Sequence, residues 1–194
     1  MIAPVFESAK ISGVPFPHAR IPKILPEDEA EDVLKWLNGA APWRLRIEHF
    51  YEQEEFSLLQ SQIGDSIKFL VEPSFVDPIR EFIRTNFDLT TALTLVDINA
   101  HRLTPGQTIR VHNDFIDGEE THRLLIQVNG GWTKEQGGLL MLFSGSTPEE
   151  FHSAILPRHR SGFVFEISPH SYHAVSQIKN GRRYTLVYTF RAVS

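Results

Sequence analysis

Hydrophobic and polar residues alternate with a period of two through most of the second half of this chain, and recur at helical spacing in two stretches of the first half. The alternation predicts strands over Thr108–Phe115, Thr121–Val128, Gly138–Phe143, Gly162–Ile167, Tyr172–Ile178 and Arg183–Arg191, after a β-rich stretch from Thr91 to Leu103. Turn-forming clusters separate them: Pro105-Gly106, Asp117-Gly118, Asn129-Gly130-Gly131, Gly137-Gly138, Pro157 and Asn180-Gly181. In the first half, Pro26-Glu27-Asp28-Glu29 opens a helix with acids in its first turn, Val33, Leu34 and Leu37 on its apolar face, and Asn38-Gly39 at its end. A second helix is predicted over Asp77–Phe87, with Pro78 in its first turn. Trp43–Phe50 alternates as a strand, and residues 1–25, with Pro4, Pro15, Pro17 and Pro22, read as an extended arm with room for one edge strand.

This order predicts a mainly β protein with flanking helices: a sandwich or jelly roll whose N-terminal helices pack on one sheet. At 194 residues, with no internal repeat or linker, 1–194 is expected to be a single domain. Residues 1–90 form a supporting region of helices and strand, and 91–194 the β core.

Composition narrows the function classes. A net charge of -5, with Lys and Arg spread along the chain, argues against a nucleic-acid partner. The absence of cysteine removes disulfides, thiolate metal sites and cysteine nucleophiles. With no secretory leader pattern and no apolar run of membrane-spanning length, a cytoplasmic protein is expected.

The chemistry starts at Arg110-Val111-His112-Asn113-Asp114. On a strand, residues two apart share a face, so His112 and Asp114 would project together. An imidazole and a carboxylate are two of the three ligands that hold non-haem Fe(II) with coordination positions left open. Alone, the pair fits a surface turn equally well. Two later histidines compete for the third place. His170 follows Pro169 in a turn and should face solvent, whereas His173 lies where a strand begins, and a metal ligand belongs on a stiff element. Arg183 follows across Lys179-Asn180-Gly181. As a two-residue loop this turn sets Arg183 and His173 on opposite faces. As a three-residue loop, with Gly181 left-handed, it pairs 178 with 182 and puts His173, Arg183, Thr185 and Val187 on one face. The second is expected, with Arg183 roughly 13 Å along the strand from the level of His173. A metal-bound five-carbon diacid plus an arginine arm spans that distance, and a guanidinium grips a carboxylate bidentately.

Residues 93–191 resemble the 2-oxoglutarate- and Fe(II)-dependent dioxygenase superfamily, in its prolyl-4-hydroxylase-like branch. The matching pieces run in order: Leu103-Thr104-Pro105-Gly106, His112-x-Asp114, Leu124-Leu125-Ile126-Gln127-Val128-Asn129 with Trp132, Gly137-Gly138-Leu139-Leu140, His173-Ala174-Val175 and Arg183-Tyr184-Thr185-Leu186. The resemblance implies a double-stranded β-helix, with His112, Asp114 and His173 as catalytic iron ligands and Arg183 on the distal carboxylate of 2-oxoglutarate. It also implies O2 as oxidant, ascorbate as a supporting reductant, and hydroxylation of an aliphatic carbon of an amino acid, a peptidyl side chain or a small metabolite, with release of succinate and CO2. Asp114 favours hydroxylation or desaturation over halogenation, since halogenating relatives lack this carboxylate. Two other readings stand beside it: a cupin-like metalloenzyme that uses no 2-oxoglutarate, and a non-enzymatic jelly-roll binding module.

The chain departs from the family in having no tyrosine near Leu103-Thr104 or at Gln127. Gln127 shares a strand face with Arg123 and Leu125; it either touches the co-substrate or fills a buried polar gap. Thr185 stands beside Arg183 on the co-substrate side. Arg110 shares the parity of His112 and Asp114 and should face inward, as an anchor for a substrate carboxylate or as a rim arginine paired with an acid, while Val111 and Asn113 face away. Trp132 is a lid over the mouth or a packed core residue. Glu52, Glu54 and Glu55 form a short acidic run of the kind that is mostly a solvated face. Loops 116–121 and 144–160, with the first ninety residues, are expected to shape the entrance.

Overall fold

The structure, a computed structural model, describes residues 3–193. After a single helical turn, α1 (Ala3–Phe6), come β1 (Lys10–Ser12), β2 (His18–Ile21), α2 (Glu27–Gly39), β3 (Arg44–Ile47), β4 (Glu52–Ser57) and α3 (Pro73–Asn86). Eight strands follow: β5 (Ala92–Leu103), β6 (Ile109–His112), β7 (His122–Gln127), β8 (Leu140–Phe143), β9 (Phe151–Ile155), β10 (Gly162–Glu166), β11 (His173–Val175) and β12 (Arg183–Val193). They form two antiparallel sheets. The major sheet has the order β1-β2-β10-β7-β12-β5-β4-β3, and the minor sheet β6-β11-β8-β9. This is the jelly roll expected from the alternating pattern, with α2 and α3 layered on the outer face of the major sheet.

Strand β12 shows why the layers form. Its even positions, Tyr184, Leu186, Tyr188 and Phe190, point into the core shared with Val33, Leu37, Ile79 and Ile83 of the two helices. Each such side chain, fully buried, contributes about 2 kcal/mol. The two tyrosines also bond across the layers: Tyr184 Oη donates to Asn38 Oδ1 (2.8 Å) and Tyr188 Oη to the Leu70 carbonyl (2.9 Å). The odd positions, Arg183, Thr185, Val187 and Thr189, face the space between the sheets. One side of that space is closed by a second apolar cluster that includes Leu125, Leu140, Leu142, Phe163 and Phe165. A strand covered on both faces thus carries the apolar core on one side and polar chemistry on the other.

Helix α2 follows its pattern, with Glu27, Asp28 and Glu29 in the first turn and Ala30, Val33 and Leu37 buried. Helix α3 begins earlier than expected. Pro73 occupies its first turn, and Pro78 lies inside it. Pro78 denies the Ser74 carbonyl its helical partner, but Ser74 is exposed and water can take that carbonyl. The arm expected over residues 1–25 carries two strands rather than one, and β2 is an inner strand, paired on both sides. Strand β9, missed in the sequence, closes the minor sheet against β8.

The connection from β11 to β12 is not the hairpin expected. Strand β11 pairs with β6 and β8 in the minor sheet, and β12 with β5 and β7 in the major one. The backbone of the intervening segment bonds elsewhere: the Ile178 amide donates to Gln107 O (2.9 Å), the Gly106 amide to Ile178 O (2.8 Å) and the Lys179 amide to Gln136 O (2.8 Å). Residue 178 therefore has no register with 182. Gly181 does take the left-handed conformation, at φ 85°, but it turns the chain from one sheet to the other.

Candidate active site

The cleft between the sheets encloses about 640 Å³. On its minor-sheet wall, His173 opens β11 directly opposite His112, the last residue of β6. The register slips between them and the Val175–Ile109 pair: two residues of β11 span three of β6. This bulge breaks the parity assumed along 110–114. Ile109 and His112 both face the cleft, whereas Arg110 is exposed and outside it, so the expected inward-facing anchor is corrected. Arg110 acts through its backbone instead, its carbonyl accepting from His112 Nδ1 at 2.8 Å.

Asp114 lies beyond the strand end, with φ at 58°. Its loop is pinned on both sides. Asn113 Oδ1 accepts the Phe115 amide (3.1 Å), Asn113 Nδ2 donates to Pro169 O (3.2 Å), and Ser171 Oγ donates to Asn113 O (2.9 Å). Asn113 lines the cleft rather than facing away from it. The left-handed turn swings the Asp114 carboxylate back to the two imidazoles. Its Oδ1 is 3.5 Å from His112 Nε2, and its Oδ2 is 3.3 Å from His173 Nε2. One ligand atom from each of the three residues lies within 4.8 Å of the others.

The tautomers follow from the backbone. A carbonyl only accepts, so Nδ1 of His112, 2.8 Å from Arg110 O, and Nδ1 of His173, 2.8 Å from Ser171 O, must both carry the proton. Both Nε2 atoms then offer lone pairs to the cleft, the arrangement in which an imidazole ligates a metal. Burial would raise the Asp114 pKa. Arg123, donating from Nη1 to Asp114 Oδ2 at 2.6 Å, together with the two histidines, instead holds it well below the usual carboxylate range. Burial, reinforced by His112, lowers the His173 pKa.

On the opposite wall, Arg183 is 3% exposed. Its Nη1 donates to Thr185 Oγ1 (2.8 Å), while Nε and Nη2 are buried with no partner among the described residues. Burial lowers its pKa to about 10. Thr185 Oγ1 in turn donates a hydrogen bond to Gln127 Oε1 (3.1 Å). Gln127 is buried outside the cleft lining and supports Thr185 from the neighbouring strand. Gly137 and Gly138 bring another strand close to this wall: a β-carbon on Gly138 would lie 2.8 Å from Arg183 Cδ. Trp132, read as either a lid or a packed residue, is packed with Leu103, Val175 and Ile178 behind the wall, its Nε1 donating to Gly137 O (2.9 Å). His170 is exposed, as expected.

Several residues that the sequence does not place at the site line or flank the cleft. Strand β4 turns Gln53 and Glu55 inward, where Gln53 Nε2 donates to Glu55 Oε2 (2.7 Å). Glu54 is held bidentately by Arg102, at 2.6 Å for both bonds. The acidic run is therefore divided by strand parity and is not one solvated face. His101 of β5 and Arg123 of β7 also line the cleft, and Arg123 pairs with both Asp114 and Glu120. Of the two loops expected at the entrance, Ile116, Glu119 and Glu120 contribute from 116–121, whereas 144–160 lies outside the lining.

The model of the 2OG-Fe(II) oxygenase superfamily matches residues 98–191, which include every member of the His112, Asp114, His173 and Arg183 set. The match covers the β core, just under half of the chain. It is 27% identical over 178 residues to prolyl 3-hydroxylase OGFOD1 of Xenopus laevis, a match covering 89% of this chain and 34% of that protein. The chain thus spans about a third of the length of this curated relative. Its fold matches a Pseudomonas putida prolyl-4-hydroxylase (TM-score 0.74, 17% identity, 100% of both chains). It also matches a Trichoplax adhaerens prolyl hydroxylase solved with a hypoxia inducible factor peptide fragment (TM-score 0.75, 15% identity, 99% of this chain and 88% of that one). The fold is therefore one that these prolyl hydroxylases share. The superfamily's name supplies its metal and co-substrate, Fe(II) and 2-oxoglutarate, and the residues present fit both. Two neutral imidazoles and an ionised carboxylate make a ferrous donor set. A buried guanidinium with two unpartnered donor atoms suits a carboxylate.

Proposed function

We propose that this protein is a dioxygenase that couples 2-oxoglutarate and O2 to hydroxylation of an aliphatic carbon, releasing succinate and CO2. The observation that carries the reading is the cleft itself: His112, Asp114 and His173 converge on one wall, and a guanidinium with unspent hydrogen bonds is buried in the other. His112 and His173, through Nε2, and Asp114 would hold the iron. Arg183, with Thr185 behind it, would hold the distal carboxylate of 2-oxoglutarate. Bound there, the metal and co-substrate supply an oxidant from O2 strong enough to turn a C–H bond into C–OH.

The protein's own part is to orient and exclude. Arg123 keeps Asp114 ionised and aimed. The Arg110 and Ser171 carbonyls fix both imidazoles in the ligating tautomer. Phe50, stacked on His112 at 4.5 Å, shields that side from water. The substrate is read as an amino acid, a peptidyl side chain or a small metabolite. The relatives named as prolyl hydroxylases favour a peptidyl side chain, proline included. Nucleic acid is not the expected partner at this net charge. A cytoplasmic setting belongs to the same proposal, since the site needs its iron kept ferrous, with ascorbate serving in vitro. Among the described residues no helix is long and apolar enough to cross a membrane.

The test is a succinate-release screen with Fe(II), 2-oxoglutarate and ascorbate over free amino acids and peptides. Substrate-stimulated succinate that disappears in Arg183→Met supports the reading. Substrate oxidation that proceeds at full rate without 2-oxoglutarate would favour a cupin-like enzyme instead.

A further inference from the structure

The proposed reading leaves His101 without a role, although it stands in the middle of the co-substrate wall. Its neighbours are set by strand register. His101 of β5 lies opposite Glu55 of β4 on one side and Thr185 of β12 on the other, and Thr185 lies opposite Gln127 of β7. These four side chains make one row across the inner face of the major sheet. Directly opposed residues of antiparallel strands have β-carbons about 5 Å apart. The imidazole therefore stands beside the hydroxyl that Arg183 grips.

The ring has hydrogen-bonding capacity to spare. Its Nε2 is 3.8 Å from Glu55 Oε2, beyond hydrogen-bond reach. Glu55 is already engaged by Gln53 (2.7 Å) and Arg46 (3.3 Å). Burial, then the charges of Arg123 and Arg183, lower the His101 pKa to about 3. The ring is thus neutral, with one N–H to donate and one nitrogen to accept. Across the row, the Thr185 hydroxyl already donates to Gln127. What this corner of the cleft lacks is an acceptor for the spare donors of Arg183 and His101.

Building on that reading, we propose that His101 is a co-substrate-binding residue, its ring N–H donating to the same carboxylate that Arg183 and Thr185 hold.

The test is calorimetry on protein loaded with Mn(II), which binds as Fe(II) would but does not turn over. His101→Phe keeps a flat ring and removes the donor; His101→Gln restores a donor. The expected result is a 2-oxoglutarate affinity about ten-fold weaker in His101→Phe, from loss of one hydrogen bond to a charged group, and largely recovered in His101→Gln. Pyruvate, a 2-oxo acid without the distal carboxylate, should bind wild type and His101→Phe alike, and Mn(II) affinity should not change. The inference is overturned if His101→Phe binds 2-oxoglutarate as wild type does, or if pyruvate and 2-oxoglutarate weaken equally. A wild-type protein that binds Mn(II) but no 2-oxoglutarate would overturn the co-substrate reading itself, and the His101 role with it.

Discussion

Arg183→Met should make the metal-free protein more stable while removing its hold on 2-oxoglutarate. The guanidinium is 3% exposed, and two of its nitrogens have no partner. Burial lowers its pKa from 12.5 to about 10. The group stays charged at neutral pH both folded and unfolded, so the lowered value measures what the folded state spends on keeping that charge dry. A change of this size corresponds to about 3 kcal/mol, present at every pH below the folded value. Methionine fills much of the same volume without the charge. Losing the bond to Thr185 gives back about 1 kcal/mol, leaving a net gain of about 2 kcal/mol. For a domain of this length that is a rise of roughly 4–8 °C in the thermal midpoint. The assay is differential scanning calorimetry of metal-free wild type and variant, repeated with Mn(II) and excess 2-oxoglutarate. Measured against Mn(II) alone, 2-oxoglutarate should raise the wild-type midpoint clearly more than the variant's. A variant that melts below wild type without ligand, or that 2-oxoglutarate stabilises as much as it does wild type, refutes the argument that this cation is kept for a carboxylate.

Other perturbations have definite outcomes. Arg123→Met removes the guanidinium that aims Asp114; Mn(II) affinity should fall about 10- to 100-fold, as when other groups that orient a ligand are lost, and dialysis with Mn(II) measures it. Tyr188→Phe removes only the bond to the Leu70 carbonyl, so urea unfolding should show a loss of about 1 kcal/mol with metal binding intact. His122 is buried, which lowers its pKa to about 4. The unfolded chain binds its proton near pH 6.5 and the folded chain only near pH 4, so the stabilisation is full above 6.5 and falls as pH drops through that window. About 3 kcal/mol of it would be gone by pH 4. His122→Leu should flatten the difference in urea midpoint between pH 7 and pH 4.5; an unchanged difference would show that another group controls acid stability.

The parts of this fold that could be read in the sequence are those where local pattern and tertiary burial agree. Strand β12 alternates because one face meets the helices and the other the cleft, and that alternation is written in Arg183-Tyr184-Thr185-Leu186-Val187-Tyr188-Thr189-Phe190. The spacing of His112 and Asp114 picks out two side chains that do converge, but on an assumption that does not hold in the structure. A straight strand would have brought Arg110 along with them; the bulge after Ile109 and the left-handed Asp114 aim the pair instead. The relation of His173 to Arg183 was misread because a turn with the right glycine looks the same whether it closes a hairpin or crosses between sheets. Only the distant partners at Gln107 and Gln136 decide between the two. Strand β4 was hidden by its charges: Glu54 and Glu55 look alike in sequence, yet one is tied to Arg102 and the other faces the cleft. Trp132 stands one layer behind the site, a depth that no sequence period encodes.

The account rests on His112, Asp114 and His173 acting together on one ferrous ion. The most direct measurement is an anaerobic titration of metal-free protein with Fe(II) in the presence of 2-oxoglutarate, on wild type and on His173→Ala. One equivalent should bind tightly to wild type, and none with comparable affinity to the variant. If His173→Ala binds one equivalent as tightly as wild type, the imidazole across from His112 is not a ligand, and the site must be sought elsewhere.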